Sequence, residues 1–210
     1  MRTQLVARVS TPTLIPIPIP IPIPIPIPMY LLKNAIEVPV PRHRVFAFFA
    51  NAENLGEITP PELDFRIVSP LPVRMHEGAL IDYRIGLWGF PMKWRTLITR
   101  WNPPYEFTDE QLRGPYMTWI HSHRFTRTGA GTLIEDEVSY ELPLGTVGKV
   151  ALPLVRRQLE RIFSYRSRRI AELLLPRGSG IMSGAASLQP ALHLNGRLAH
   201  GEAHLASRSR

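Results

Sequence analysis

The chain contains no cysteine. That excludes a disulfide-stapled scaffold, a thiolate-ligated zinc site and a thiol nucleophile. No stretch of eighteen consecutive apolar residues occurs, so the sequence offers no helical membrane span. Also missing are a Walker-type phosphate loop, the glycine fingerprint of dinucleotide-binding folds, a serine elbow and a paired catalytic carboxylate signature. Nucleotide-dependent chemistry and serine hydrolysis therefore find no support in the motifs.

Acidic residues are nearly absent from the two ends, and this explains most of the net charge. The 210 residues carry +8 overall. Six of the 25 basic and one of the 17 acidic residues fall in residues 1–28 and 176–210, which leaves 19 and 16 for the middle. The middle is thus close to +3, and the sequence pI of 10.4 is mainly a property of the ends. A domain that bound DNA through its charge would show the excess on itself, so no DNA partner is expected.

The ends do not read as globular. Ile15 to Pro28 is an unbroken series of Ile-Pro pairs. Proline has no N–H and disfavours α conformation in the residue before it, so the segment suits neither helix nor paired strand. An extended polyproline-type rod is expected. It resembles the product of an expanded short DNA repeat, and translation is expected to begin at Met29. A stiff spacer or a ligand for a proline-binding module is the alternative. After Leu175 the sequence turns to Pro176-Arg177-Gly178-Ser179-Gly180 and loses its periodicity. Residues 176–210 are expected to be a disordered tail, whose His193, His200 and His204 form no specific site.

The 147 residues between, 29–175, are enough for one core and hold all four tryptophans, Trp88, Trp94, Trp101 and Trp119. Tyr30–Val38 reads as a strand, and Pro41 opens a helix carrying Val45, Phe46, Phe48, Phe49 and Ala52. Leu63–Val68 reads as a second strand. Five more follow in quick succession, over 79–88, 92–101, 105–113, 117–126 and 132–142, separated by Gly- and Pro-containing turns such as Asn102-Pro103-Pro104. Short connections between successive strands imply an antiparallel meander. A last helix spans roughly 148–175. Val150, Leu154, Val155, Leu159, Ile162, Phe163, Ile170, Leu173 and Leu174 form an apolar stripe on it, and Arg156, Arg157, Arg161, Arg168 and Arg169 line its other side. The fold class is α+β: a curved antiparallel sheet of about seven strands wrapped around a long C-terminal helix.

Strand alternation nominates the residues that carry chemistry. Met117, Trp119, His121, His123 and Phe125 share a face, which the large apolar groups mark as the inner one. Phe107, Asp109, Gln111 and Arg113 share a face of the preceding strand, and Ile134, Asp136, Val138 and Tyr140 one of the following strand. Adjacent strands would bring Asp109, Arg113, His121, His123 and Asp136 together. Trp94 shares a face with Met92, Thr96 and Ile98, while Arg95 and Trp101 point away from it; either face could be the lining one. The candidate ligand-contacting set is Trp94, Asp109, Arg113, Trp119, His121, His123, Asp136 and Tyr140. His121, His123 and Asp136 are the candidates for proton transfer, none of them assigned as catalytic, and internal ion pairing that rigidifies the sheet is the structural alternative. His-x-His with Asp109 or Asp136 offers three metal donors but lacks the spacing of a closed site, so no metal and no cofactor is assigned.

Several segments carry a family resemblance. They are Ile58-Thr59-Pro60-Pro61, Glu77 to Tyr83, Pro91-Met92-Lys93-Trp94-Arg95-Thr96 and Asp136 to Pro143, with Ile162-Phe163-Ser164-Tyr165-Arg166 near the end. The most telling is Pro103 to Phe125, with Phe107, Asp109, Gln111, Gly114-Pro115-Tyr116, Trp119, His121 and His123. Across residues 30–175 the chain resembles the SRPBCC superfamily, which includes START domains, Bet v 1-like proteins and polyketide cyclase/dehydrase-type domains, and within it a bacterial branch of ligand-binding domains. The resemblance implies a helix-grip fold with a cavity between sheet and last helix. Relatives bind lipids, quinones, polyketides or hormones there, and a few are cyclases or dehydratases. The implied function is binding of a small apolar or amphipathic ligand. The alternatives are a cyclase, dehydratase or isomerase using cavity His and Asp, and an interaction protein that meets a membrane surface or RNA through Arg156, Arg157, Arg161, Arg168 and Arg169. A cytoplasmic location is expected, and the sequence does not set the oligomeric state.

Overall fold

The computed structural model describes residues 29–87, 89–143, 146–175 and 193–198. The Ile-Pro repeat, for which a rod was expected, Trp88, His200 and His204 lie outside the described residues. The described elements begin with strand β1 (Met29–Val38), then helix α1 (Arg42–Phe49), the single-turn α2 (Asn54–Glu57) and a 3-10 turn at Pro61–Leu63. The strands β2 (Arg66–Ile67), β3 (Leu80–Leu87), β4 (Phe90–Asn102), β5 (Glu106–Arg113), β6 (Thr118–Arg127) and β7 (Thr132–Glu141) follow, and then helix α3 (Thr146–Leu174). A last strand, β8, spans His193–Leu198.

The sheet order is β2-β3-β4-β5-β6-β7-β1-β8, with antiparallel pairing throughout. Strands β2 to β7 are the expected meander. β1 closes against β7 from Tyr30 opposite Tyr140 to Val38 opposite Thr132. Together, the curved sheet and α3 make the helix-grip architecture. No helix among the described residues is long and apolar enough to cross a membrane.

Three expectations need correction. The second strand shrinks to Arg66–Ile67, because Pro61 opens a 3-10 turn that takes Leu63. Residues 193–198 were expected to belong to an unstructured tail, yet they pair with β1, Leu32 opposite Leu194. The outer edge of β1 presents unpaired N–H and C=O groups, a template that local composition does not register. The apolar stripe of α3 is also only partly covered. Val155, Leu159, Phe163 and Ile170 are buried, whereas Val150, Leu154 and Leu173 are exposed. Val150 and Leu154 lie one turn apart on a ridge that misses the sheet.

Two bulges decide which side chains face inward. Between β4 and β5, Ile98 pairs with Asp109 but Arg100 with Thr108, so Thr99 is extra. The shift turns Arg100 outward to Glu106, at 2.6 Å, and returns Trp101 to the inner face against Phe46 and Phe107. Trp101 thus lies on the same side as Trp94, against the simple alternation. In the same ladder Thr96 pairs with Gln111 but Arg95 with Arg113, so Leu112 is extra.

The core lies between sheet and helix in two neighbouring groups. One gathers Val45, Phe46 and Phe49 of α1 with Phe107, Phe125, Ile134 and Ile170. The other gathers Trp94, Trp119 and Tyr140 with Val155, Leu159 and Phe163 of α3. Gly131, in the β6–β7 turn, lets this turn pass beneath the end of β1. It has φ +151°, and a side chain there would collide with the Val38 carbonyl oxygen and the Pro39 Cα. Gly131→Ala is therefore expected to destabilise the domain by at least about 2 kcal/mol, measured as a shift of the urea midpoint at unchanged slope.

Candidate functional site

A cavity of about 160 Å³ separates the concave face of the sheet from α3. Its walls are mainly apolar. Phe49, Leu55 and Ile58 close one side, Ile81, Ile85 and Ile98 the sheet floor, and Leu159, Ile162 and Phe163 the helix side. Exposed Asn51, also on the wall, marks where the cavity reaches the surface.

At one end the wall is aromatic. Tyr83 stacks on Trp94 at 5.8 Å, Trp94 meets Trp119 edge-on at 5.6 Å, and Tyr116 lies 4.7 Å from Trp119. Polar atoms are accounted for within this group. Trp94 Nε1 donates to Thr96 Oγ1 at 3.1 Å, and the Tyr83 hydroxyl shares the same oxygen at 3.3 Å. Burial pushes the Tyr83 and Tyr116 phenols up, so both stay neutral. Gln111 holds the turn that carries Pro115 and Tyr116: its side chain donates to the Tyr116 carbonyl at 2.7 Å and accepts from the Tyr116 N–H at 3.4 Å.

The remaining polar wall is a ladder across three strands. The register sets Asp109 of β5 opposite His121 of β6, and His123 of β6 opposite Asp136 of β7. His121 and His123 are two residues apart on β6, so their rings lie side by side with centroids 3.9 Å apart. On one flank Asp109 Oδ2 is 3.3 Å from His123 Nε2 and 3.7 Å from His121 Nδ1. On the other, Asp136 Oδ1 is 3.3 Å from His121 Nε2 and 2.8 Å from His123 Nδ1, the latter out of line for an N–H bond. Asp136 Oδ2 accepts from Asn34 Nδ2 at 3.2 Å, and Asn34 exchanges hydrogen bonds with Ser167 of α3 at 3.1 and 3.3 Å. The ladder therefore continues from β5 through β6, β7 and β1 into the helix. Phe107 stacks on His123 at 4.2 Å, and Phe163 meets His121 at 5.6 Å.

The electrostatics follow from burial among opposed partners. Burial lowers the His121 pKa, and neighbouring His123 lowers it further. Burial opposes charge on His123 too, but its hydrogen bond to Asp109 and the adjacent Asp136 carboxylate outweigh this and raise its pKa. Burial alone would raise Asp136; the two histidines overcome it and hold the carboxyl well below its ordinary range.

The candidate residues thus separate. Trp94, Asp109, Trp119, His121 and His123 line the cavity. Asp136 does not reach it; the carboxylate sits behind the two rings and fixes their orientation. Tyr140 is fully buried between Tyr30, Tyr116 and Trp119, with a hydroxyl that has no hydrogen-bond partner among the described residues, and is not part of the wall. Arg113 is exposed opposite Arg95, because the extra Leu112 reverses the alternation after Gln111. Of the arginines on the outer side of α3, Arg161 pairs with Glu62 at 2.7 Å and Arg169 with Glu172 at 2.5 Å. Arg156 lies over the Tyr30 ring at 5.8 Å. Arg157 and Arg168 are exposed.

Arg166 is the residue that strand alternation could not nominate. It lines the cavity, its guanidinium lies 5.2 Å from the Phe163 ring centroid, and its Nε is buried without a hydrogen bond among the described residues. The arginines that form ion pairs among the described residues are Arg66, Arg95, Arg100, Arg161 and Arg169, so Arg166 is not among them. The signal was present in the helix: Leu159, Ile162, Phe163 and Arg166 follow at steps of three, one and three, which sets an arginine on the apolar face.

The family described as polyketide cyclase / dehydrase and lipid transport matches residues 38–164, and the chain belongs to that family, within the SRPBCC superfamily. No curated protein matches the sequence. Among solved structures the chain is similar to protein Ms6760 from Mycobacterium smegmatis at 18% identity and TM-score 0.52, covering 69% of this chain and 90% of that one. It is also similar to the di-domain ARO/CYC StfQ from the steffimycin biosynthetic pathway, at 14% identity and TM-score 0.56, covering 70% of this chain and 51% of that one. Major latex-like protein 151 from Panax ginseng matches at 12% identity and TM-score 0.51, covering 71% and 99%. At these identities the likeness is one of fold.

Asn34→Ala leaves Asp136 Oδ2 and the Ser167 hydroxyl without their buried partner. The expected loss is about 1–3 kcal/mol, measured by chemical denaturation, with Asn34→Asp worse because it adds a second buried carboxylate beside the first.

Proposed function

We propose that the protein binds a small, largely apolar molecule bearing one oxygen-rich or anionic end in the cavity beneath α3. The observation that carries this reading is the division of the cavity wall: aromatic and aliphatic side chains over most of it, with Asp109, His121, His123 and Arg166, which forms no ion pair among the described residues, as its polar part. An apolar cavity with a few convergent polar groups is the usual form of a small-molecule site. A cavity of about 160 Å³ is close to the ~150 Å³ engineered void that takes up benzene. A ring-sized body would fit without rearrangement, and a longer chain would extend past Asn51 toward solvent. Membership of a family described by cyclase, dehydrase and lipid-transport activities supports the same class of ligand. A cytoplasmic site of action fits this reading.

Arg166 supplies the orientation. An arginine on an apolar wall, with no carboxylate at ion-pair distance among the described residues, favours a ligand carboxylate, enolate or phenolate. Anilinonaphthalene sulfonate, apolar and anionic, is a convenient probe. Its fluorescence should saturate at one equivalent on the full chain. Ile162→Trp, which fills the cavity from the helix side, should weaken binding at least about tenfold while leaving the melting transition within a few degrees. Arg166→Met should weaken the sulfonate roughly 10- to 100-fold, as expected for one charge-assisted hydrogen bond, and should leave neutral naphthalene nearly unaffected. Probe binding indifferent to Ile162→Trp would overturn the reading. Native mass spectrometry of the purified protein would then show whether a cellular molecule of this class accompanies it.

A further inference from the structure

We infer that Asp109, His121 and His123 form a site for one divalent first-row transition cation, zinc or iron(II), with open coordination positions directed into the cavity. Among the described residues these three form a cluster whose donor atoms lie within 4.8 Å of one another. Two imidazoles and a carboxylate on one side of an ion are the donor set of open, substrate-accessible sites rather than of closed structural ones.

The distances are close to those an ion requires. Tetrahedral bonds of 2.0–2.1 Å set neighbouring donors about 3.3–3.4 Å apart. Asp109 Oδ2 stands 3.3 Å from His123 Nε2 and 3.7 Å from His121 Nδ1. Two of the three donor separations are thus within a few tenths of an ångström of that spacing, and the third lies within 4.8 Å. All three side chains line the cavity, so the remaining positions would face it.

The strongest support comes from Asp136. A metal-bound imidazole usually turns its second nitrogen to a carboxylate, which fixes ring and tautomer. Here His121 Nε2 lies in hydrogen-bond range of Asp136 Oδ1 at 3.3 Å, and His123 Nδ1 stands 2.8 Å from the same oxygen but out of line for a hydrogen bond; these are the two nitrogens that do not face Asp109. Asn34 and, through it, Ser167 then hold Asp136 in place. Charge points the same way: two carboxylates flank two buried rings, and buried charge is paired or coordinates metal.

This inference goes beyond the ligand reading and is tested without any organic ligand. The full chain is stripped with a chelator and titrated with zinc(II) against a chromophoric competitor, and separately with cobalt(II), whose visible spectrum reports nitrogen and oxygen ligation. One equivalent is expected to bind. Asp109→Asn and His121→Gln should each weaken zinc binding more than about 100-fold. Asp136→Asn should keep the stoichiometry and weaken binding about 10- to 100-fold. A variant with His193, His200 and His204 all changed to Gln should bind as the parent does. Circular dichroism of each variant establishes that it is folded. The inference is overturned if the parent chain takes up no saturable equivalent of zinc or cobalt. It is equally overturned if the equivalent survives Asp109→Asn, or disappears with the three tail histidines. Because the parent titration needs no substitution, a variant that fails to fold leaves the test intact.

Discussion

A single buried carboxylate sits where five elements meet. Asp136 on β7 stands against both histidines of β6, bonds through Asn34 on β1 to Ser167 on α3, and shares with Asp109 of β5 the task of holding the imidazoles upright. An isolated carboxylate at this depth would be costly enough to take up a proton or disrupt the packing. Its ionised form persists because every neighbouring group is a donor or carries one. The cost of burial is offset locally, and the same contacts fix the relative position of sheet and helix. The cavity exists because the two layers are held by this polar seam while aromatic and aliphatic groups at either side prevent them from closing completely.

That arrangement divides the labour among residues that a sequence pattern treats alike. His121 and His123 present one edge to the cavity and the other to Asp136. Asp109 stands beside them on the wall; Asp136 stands behind them. Both aspartates come from inward positions of the two strands that flank β6, yet only Asp109 lines the cavity. Arg166 approaches from the opposite layer, so the polar part of the wall is assembled from strands and helix together. A molecule entering the cavity would meet apolar surface almost everywhere and directional chemistry in one region only, which is how such a site selects by orientation as well as by size.

Much of this was legible in advance. The meander, the long helix and the inward face of Trp119, His121, His123 and Phe125 follow from period-two and period-3.6 patterning, which needs no knowledge of distant residues. The segment from Phe107 to Phe125, with Gly114-Pro115-Tyr116 at its turn, carried the family resemblance. Alternation failed at the bulges. Thr99 returns Trp101 to the core, and Leu112 sends Arg113 to the surface, because one extra residue inverts every side chain beyond it. Nothing local marks either position as a bulge. Arg166 was hidden for a different reason: a long flexible cation on an apolar stripe is more often a snorkelling surface residue, and only the facing cavity distinguishes the two.

Local chemistry in the sequence determined the elements, their order and the inward histidine pair, since backbone preference and side-chain periodicity act over a few residues. Tertiary structure decided everything that depends on register and on two layers meeting: that Asp109 and Asp136 flank the same two rings, that Tyr140 withdraws into the core, that Val150 and Leu154 overhang the sheet, and that β8 finds the edge of β1. These outcomes rest on contacts between residues up to about a hundred or more positions apart, such as Asn34 with Asp136 and Ser167, and no window on the chain contains them.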